Sequence, residues 1–377
     1  MGLDQQIYEF IFSDLASRLK KPEVIYTLHN RVQKFDAVPS GVPNIDDVLC
    51  GGLPEGRIIE IFGPEASGKT TLTLTFIKQA QQLGYMTYFI DAEHALDVDY
   101  ASRIGVDLKS LLFSQPDYGE QALETARAIC DSTIEASEKF GRKIKTLIVI
   151  DSVPALVPKQ AYEVYEDDKK DGLESSTAMG MTARMLSQTL PPLLSKLAKS
   201  GATVVFINQE RDNIGVMYGP TTTTPGGRAL KFFCSLRLKV NRIGYFEENG
   251  EKAGIRTQVV PVKSKMFPIF ARKAEFIIGP NGINVMAALI ESAVEKGVVT
   301  KSGAWVKFEG GSYQGRTGLE DAVKKDAELL KRLEAAVAGK PLPAKPVELK
   351  AAVQPEKPVQ TPTTAKAVGP AADQKQL

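Results

Sequence analysis

The feature that most constrains the fold is a glycine-rich octet at residues 63–70, which reads GPEASGKT. An apolar run at residues 58–62 precedes it, and a helical pattern over residues 71–80 follows it. In the pattern G-x-x-x-x-G-K-[ST], the glycines let successive backbone N–H groups converge on phosphate oxygens at a helix N-terminus. The octet therefore predicts a strand, a phosphate-binding loop and a helix in that order. A glycine-rich surface turn is the alternative.

Short apolar runs alternate with longer helical patterns through the first half of the chain, and these runs lie at residues 58–62, 87–90, 147–150 and 204–207. They are apolar at consecutive positions, which is typical of strands buried on both faces. We therefore predict an α/β fold with a mostly parallel, twisted sheet flanked by helices.

The pattern changes after residue 236, where three runs have hairpin spacing, at residues 236–240, 258–262 and 274–278. Asn281-Gly282 predicts a turn after the third run, and Pro261 places the second run at a sheet edge or a bulge. After residue 285, a helix, a strand region at residues 305–308 and a charged helix at residues 321–337 predict a small C-terminal α/β domain.

The chain divides into four predicted segments. Residues 1–39 hold a linker and a helix whose apolar residues recur at positions 7, 10, 11, 15 and 19. That helix is expected to dock either on a neighbouring subunit or on its own core. Residues 40–270 form the core and residues 271–339 the C-terminal domain. Residues 340–377 contain seven of the 22 prolines and no aromatic residue, so we expect a disordered tail.

Composition excludes several classes of protein. The net charge is +2, and the tail alone holds six lysines against three acidic residues, so the body is not basic. Any nucleic acid must therefore bind a local surface. The three cysteines lack metal-ligand spacing, and no apolar run reaches the ~18 residues that span a bilayer. With no signal-peptide pattern at the N-terminus, we expect a cytoplasmic protein that does not bind membranes.

Polar residues end several of the predicted strands. Because the carboxyl ends of parallel strands meet at one edge, Asp151 would hold Mg²⁺ together with Thr70, while Lys69 would meet the β- and γ-phosphates. If the run at residues 87–90 lies beside the strand of the octet, Glu93 acts as a general base on water. Gln209 would hydrogen-bond the γ-phosphate. The alternatives are a cap of the next turn for Asp151, a solvated loop acid for Glu93 and a strand-terminal turn residue for Gln209.

Six segments closely resemble the bacterial RecA recombinases: GPEASGKTTLTL (63–74), FIDAEHALD (89–97), SQPDYGEQAL (114–123), IDSVPAL (150–156), FINQ (206–209) and GGRALKF (226–232). The resemblance implies an ATP- and Mg²⁺-dependent enzyme of DNA recombination, DNA repair and the SOS response to DNA damage. It implies a head-to-tail helical filament on single-stranded DNA that pairs with homologous double-stranded DNA and exchanges strands. Mediator and single-strand-binding proteins are further candidate partners.

The resemblance also implies roles for single residues. Glu93 activates water, Gln209 senses the γ-phosphate, and Lys263 and Lys265 reach the ATP of the adjacent subunit. With Lys69, these residues form the expected catalytic set. Lys231 and Phe232 are expected at the subunit interface, together with the two lysines. The expected ATP-binding residues are Gly63, Pro64, Glu65, Ala66, Ser67, Gly68, Lys69, Thr70, Thr71, Asp97 and Tyr100.

Two loops match the DNA-binding elements of the family, one around residues 179–184 and one at residues 209–228. The expected DNA contacts are Met179, Gly180, Arg184, Arg211, Ile214, Gly226, Gly227 and Arg228. Pro191-Pro192 is expected to interrupt the helix after the first loop. Gln258 and Val260 occupy positions where the family has basic residues that serve a second DNA site.

The proline pair and the non-basic residues at positions 258 and 260 depart from the family pattern, and such departures are typical of a divergent or phage-borne member. Two alternatives to a recombinase stand beside it, a RecA-fold hexameric DNA helicase and a nucleotide-switched DNA-binding scaffold. A helicase ring closes, whereas a filament does not.

Overall fold

The computed structural model of the protein describes residues 3–18, 35–166, 175–212, 222–248 and 250–342. Ile214 and almost all of the predicted tail lie outside the described residues. The described helices are α1 (Leu3–Arg18), α2 (Pro43–Val48), α3 (Lys69–Gln82), α4 (Val98–Ile104), α5 (Gly119–Phe140), α6 (Lys159–Glu166), α7 (Ser175–Ser200), α8 (Gly227–Phe233), α9 (Val285–Glu295), α10 (Gly315–Lys325) and α11 (Ala327–Val337).

The described strands are β1 (Ala37–Val38), β2 (Leu53–Pro54), β3 (Ile58–Gly63), β4 (Met86–Asp91), β5 (Leu111–Ser114), β6 (Thr146–Asp151), β7 (Thr203–Gln209), β8 (Arg211–Asp212), β9 (Thr222–Thr223), β10 (Leu236–Glu248), β11 (Glu251–Ser264), β12 (Ala274–Gly279), β13 (Gly282–Ile283), β14 (Thr300–Ser302), β15 (Trp305–Phe308) and β16 (Gly311–Gln314). Within the described residues, nine of them form one sheet in the order β13-β12-β11-β10-β3-β7-β6-β4-β5.

The four apolar runs of the first half are confirmed as strands β3, β4, β6 and β7. Every residue of β3 and of β6 is buried, because helices cover both faces of the sheet. β3, β7, β6, β4 and β5 pair in parallel, as consecutive apolar positions predict. The predicted α/β fold with a mostly parallel sheet is therefore confirmed.

The strand order on which the prediction for Glu93 is conditional is not the observed one. The strand that precedes Glu93, β4, does not lie beside β3, because β6 and β7 lie between them. The neighbours of β3 are β7, which ends at Gln209, and β10. Parallel strands need crossover helices, and the order in which these crossovers place the strands cannot be deduced from the apolar runs alone.

Each face of the sheet carries its own apolar core. One core joins α2 and α3 to Ile59 and Ile61 of β3. The other joins α5, α7 and α8 to Ile58 of the same strand. The alternation within β3 follows from the two-residue period of a strand, which sends neighbouring side chains to opposite faces.

Helix α7 departs from the sequence expectation at two points. Pro191 and Pro192 lie inside it, and the helix continues to Ser200. Leu190 and Leu193, on either side of the proline pair, are both buried against the sheet, and this burial outweighs the lost backbone donors. The predicted loop at residues 179–184 is also helical, since α7 begins at Ser175.

Strands β10 and β11 form a long antiparallel hairpin beside β3. The predicted irregularity at Pro261 is confirmed: Arg237 pairs with Lys263, whereas the next residue, Leu238, pairs with Pro261. Val262 is therefore an extra residue in β11. Pairing of β11 with β12 ends at Val259, so β12 needs no donor from the proline.

The C-terminal elements pack around a small antiparallel sheet of β14, β15 and β16. The predicted strand at residues 305–308 is confirmed as β15. The predicted charged helix at residues 321–337 is wrong as one element, because it divides into α10 and α11. Asp326 separates them, and its carboxylate accepts hydrogen bonds from the N–H groups of Glu328 and Leu329 as the N-cap of α11.

The predicted N-terminal helix is confirmed as α1. The predicted apolar positions 7, 10, 11 and 15 lie exposed, with exposed fractions from 44% at Leu15 to 71% at Phe10, whereas Phe12 is half-buried. Leu19 lies outside the described residues. No described helix is long and apolar enough to cross a membrane.

Candidate functional site

The phosphate-binding loop (P-loop, residues 63–70) connects β3 to α3 and depends on its glycines. Gly68 has a φ of +95°, and a Cβ there would lie 2.3 Å from Cδ1 of Ile278. A Cβ at Gly63 would lie 2.0 Å from the carbonyl oxygen of Val240. The loop therefore fits beneath β10 and β12 only because these two positions lack side chains.

Lys69 and Thr70 begin helix α3 and lie where phosphates would approach. The amine of Lys69 donates to the carbonyl oxygen of Pro64 at 2.7 Å. Burial lowers the pKa of Lys69, although the charges of Asp151 and Glu93 oppose this shift. The Thr70 hydroxyl donates to Asp151 Oδ2 at 3.2 Å.

Asp151 ends β6 and is nine-tenths buried. Burial, reinforced by the charge of Glu93, raises the pKa of Asp151 to about 7. The hydroxyl of Thr70 and this carboxylate are hard oxygen donors of the kind that Mg²⁺ takes alongside phosphate oxygens and water. Among the described residues, no group of three or more His, Cys, Asp and Glu side chains could hold a metal ion.

Glu93 and Gln209 come together even though their strands are not neighbours. The Gln209 amide donates to Glu93 Oε1 at 3.3 Å, and the Ser152 hydroxyl donates to the same oxygen. The chain after β4 turns toward β6, because the N–H groups of Ala92 and Glu93 both donate to the carbonyl oxygen of Asp151. Pairing of β4 with β6, extended by these two backbone hydrogen bonds, and not adjacency to β3, thus places Glu93 in the site.

Of two further predicted residues, Tyr100 lies beside the P-loop and Asp97 lies at the start of α4. Asp97 caps helix α4 by accepting from the N–H of Tyr100 at 2.8 Å. The Tyr100 hydroxyl lies 2.9 Å from Oγ1 of Thr71. Tyr100 lines a cavity of about 310 Å³ together with P-loop residues.

The opposite wall of this cavity was missed by sequence reasoning. Ile255 in β11 and Ile278 in β12 line it and pair directly across the two strands. In the sequence these two isoleucines are indistinguishable from ordinary core residues of a strand. Only the pairing of the strands brings them to the P-loop. The alternation of apolar positions in the third hairpin strand was the one signal available.

The two predicted DNA-binding segments approach each other at the start of α8. Cβ atoms added at Gly226 and Gly227 would lie 2.9 Å from Leu186 Cδ1 and 2.7 Å from Ala183 Cβ, so these glycines allow α8 to contact α7. Arg184 lies on α7 and Arg228 is exposed in the first turn of α8. Met179 and Gly180 lie in α7 as well.

Arg211 lies in β8, which pairs with β9. Glu210, which precedes Arg211, was not singled out from the sequence. It accepts hydrogen bonds from Lys239 at 2.8 Å and from Thr222 at 2.6 Å. Burial alone would raise the pKa of Glu210, but these two hydrogen bonds outweigh it and lower the pKa.

The predicted interface residues cluster at the end of α8. Lys263 donates to the carbonyl oxygens of Lys231 and Phe232, at 2.6 and 2.9 Å, and Lys265 donates to that of Phe232 at 3.2 Å. The Phe232 ring is 70% exposed and lies within 6 Å of both amines. Burial, followed by the charge of Lys265, lowers the pKa of Lys263.

Comparison with known proteins identifies the family. Residues 9–284 match the family model described as the RecA N-terminal domain. A protein named Protein RecA from Rubrobacter xylanophilus is 44% identical over 337 residues, which cover 88% of this chain and 92% of the relative. Proteins of the same name from Aquifex pyrophilus and Acinetobacter baylyi are 42% and 41% identical, each over 86% of this chain and over 89% and 88% of the relative. The chain belongs to the RecA family.

Proposed function

We propose that this RecA-family recombinase binds ATP and Mg²⁺ at the P-loop and couples ATP hydrolysis to DNA strand exchange. The protein is a DNA-dependent ATPase of recombination and repair that binds DNA and assembles into a homo-oligomeric filament. The observation that carries the proposal is the contact between Gln209 and Glu93 beside the P-loop. It joins a candidate base to a residue at the start of a candidate DNA-binding segment.

The P-loop supplies the nucleotide site. The backbone of residues 63–68 would hold the phosphates, Lys69 would neutralise them, and Thr70 with Asp151 would hold Mg²⁺. When bound, the metal would neutralise charge on the phosphate oxygens. Tyr100, beside Asp97, and the Ile255–Ile278 wall would enclose the adenine.

Glu93 would orient and deprotonate the attacking water. Its carboxylate is held by Ser152 and Gln209. When the γ-phosphate is present, the Gln209 amide can donate to it in place of Glu93, which frees Glu93 for the water. Gln209 would thereby sense the nucleotide and pass its state to the segment that follows.

The filament would complete the site. Lys263 and Lys265 would leave the carbonyl oxygens of α8 and reach the nucleotide of the adjacent subunit, with Lys231 and Phe232 at the same interface. The exposed apolar face of α1 would dock on that neighbour in a head-to-tail arrangement. Residues 1–39, 40–270, 271–339 and 340–377 stay our proposed divisions of the chain.

Single-stranded DNA would bind along α7 and the segment from Gln209 to α8. Arg184, Arg211 and Arg228 would contact phosphates, and the glycines at 226 and 227 would allow the close approach of the backbone. The family resemblance adds Met179, Gly180 and Ile214 to this set. Double-stranded DNA would be the second substrate, and single-strand-binding or mediator proteins would assist loading.

A strand-exchange assay with circular single-stranded DNA and homologous linear duplex tests this function. Joint molecules should form with ATP and Mg²⁺ and fail to form when nucleotide is omitted. Electron microscopy of the same mixture should show open helical filaments. Closed rings with duplex unwinding would instead favour a hexameric helicase, and DNA binding without exchange would favour a scaffold.

A further inference from the structure

A buried acid in the sheet is not part of the nucleotide site described above. Glu60 lies in the middle of β3, and its side chain is fully buried. It projects to the same face as Ile58, toward the core that includes Phe206 and Leu230. Burying a carboxylate in such surroundings costs free energy unless the charge is paired and hydrogen-bonded.

Arg237 supplies the pairing charge. It lies beside Glu60 in the register of β10 with β3, and its Nε donates to Glu60 Oε2. Its guanidinium carbon lies 4.5 Å from the centre of the Phe62 ring, and its Nη2 lies 3.5 Å from Oγ1 of Thr224. The ion pair is therefore held between the strand that leads into the P-loop and a residue close before α8.

The other carboxylate oxygen of Glu60 holds Asn208. The Asn208 amide nitrogen donates both to Glu60 Oε1 at 2.8 Å and to the carbonyl oxygen of Pro225 at 3.0 Å. The amide oxygen of the same side chain accepts from the N–H of Gln209 at 2.9 Å. One fully buried amide thus joins Glu60, the backbone of Gln209 and the residue before Gly226.

We propose that Glu60 is a positioning residue that couples DNA binding to the nucleotide site. Its carboxylate fixes Asn208, and Asn208 fixes the backbone of Gln209 relative to Pro225. A shift of Pro225 when DNA binds would leave a buried donor of Asn208 unpaired unless Asn208 moves with it, and a movement of Asn208 changes the position of Gln209. This inference rests on the proposed roles of Gln209 and of the segment that ends at Arg228.

A purely structural role is the competing explanation. Buried ion pairs can often be replaced by apolar side chains of similar volume without loss of stability, whereas removal of one partner is strongly destabilising. The pair is therefore tested with Glu60→Gln, which offers one acceptor oxygen where Asn208 and Arg237 need two, and with the double substitution Glu60→Leu/Arg237→Met. The control is Glu309→Leu/Arg332→Met, which replaces a largely buried ion pair among the C-terminal elements.

The measured quantity is the ratio of dissociation constants for a fluorescent single-stranded oligothymidine without and with a non-hydrolysable ATP analogue. We expect both Glu60 variants to bind the analogue within about threefold of wild type and to reduce the ratio about tenfold, a size typical of coupling between sites. The control should keep the wild-type ratio. Circular dichroism and thermal melting report folding. An unchanged ratio in either folded Glu60 variant, or failure of both Glu60 variants to fold, overturns the proposal.

Gln209→Asn separates this inference from the proposed function. If Gln209→Asn lowers the ratio and the Glu60 variants do not, only the role of Glu60 is wrong. If Gln209→Asn has no effect while the Glu60 variants do, Gln209 is not the sensor, and the route from Glu60 through Gln209 is wrong with it. When both residues act in one chain of contacts, the combination Glu60→Gln/Gln209→Asn should lose little more than either single variant.

Discussion

Lys69 and Glu93 lie in one site, yet their replacement should separate nucleotide binding from turnover. Lys69→Ala removes the ammonium that would meet the phosphates, so nucleotide binding should be lost. Glu93→Gln keeps the shape of the side chain but removes the base, so binding and filament assembly should persist while hydrolysis falls ~10²-fold or more. Fluorescent-nucleotide binding and steady-state hydrolysis with saturating DNA measure the two effects. Near-normal hydrolysis by Glu93→Gln would contradict the role of base.

Asp46 provides a pH-dependent prediction away from the nucleotide site. Burial, opposed by hydrogen bonds from Ser40 and Gly41, raises the pKa of Asp46 from 3.8 to about 6. Between these two values the folded protein binds this proton more tightly than the unfolded chain does. The stability that the group contributes therefore falls as pH rises through this window, by up to about 3 kcal/mol.

Asp46→Asn removes this dependence. The difference in unfolding free energy between variant and wild type should shift in favour of the variant between about pH 4 and pH 7. Urea denaturation at both pH values, without DNA or nucleotide, measures it. A difference that does not change with pH would show that the carboxyl titrates normally.

Positions of candidate site residues were predictable from sequence where a local pattern carries them. The P-loop, Asp151 and Glu93 follow strand ends, and these positions are visible in the order of residues. Ser152, the Ile255–Ile278 wall and the pair of Glu60 with Arg237 were not predictable. Their contacts join residues far apart in the chain, and they depend on the order and register of strands.

At the scale of helices and strands, the predictions failed where tertiary burial or a helix cap outweighed the local pattern. Consecutive apolar residues predicted the parallel strands correctly, because only strands covered on both faces show that pattern. The proline pair predicted an interruption that α7 does not have, because leucines on both sides hold the helix against the sheet. At Asp326 the error is the opposite: the charged pattern predicted one continuous helix, but Asp326 caps a new helix within it.

Helix α8 is a candidate contact for the DNA backbone through Arg228. Arg228 is exposed in its first turn, next to the glycines that approach α7. If α8 contacts the DNA backbone, Arg228→Gln should weaken binding at all sequences and reduce the slope of log K against log salt by about one contact. Fluorescence anisotropy over a salt series measures the slope.

Arg142→Gln is the matched control for this series. Arg142 is exposed and follows α5, at the edge of the sheet where β6 begins, opposite the P-loop. The slope of log K against log salt for Arg142→Gln should equal that of wild type. Equal slopes for Arg228→Gln and wild type would place the DNA elsewhere.

For the whole assembly, each nucleotide site should combine residues of two subunits. Lys263→Ala and Lys69→Ala proteins should each be inactive, because every interface in either filament lacks one necessary lysine. In a mixed filament some interfaces join an intact P-loop to an intact Lys263, so part of the hydrolysis should return. Hydrolysis measured across mixing ratios tests this, with co-assembly verified by two-colour labelling. Absence of any recovery in co-assembled filaments would show that the sites are not shared.

Strand β11 has a consequence for such an assembly. Ile255 lines the cavity of its own subunit, and Lys263, eight residues later on the same strand, is the candidate for the neighbour's site. At about 3.3 Å per residue, this length of strand spans at most about 26 Å, because the bulge at Val262 shortens it. An extended strand cannot lengthen, so the covalent chain between these residues limits the interval that one subunit can bridge between its own nucleotide and that of its neighbour. An insertion or deletion in this stretch of β11 would therefore alter the pitch of the polymer while each subunit could still fold and bind its own nucleotide.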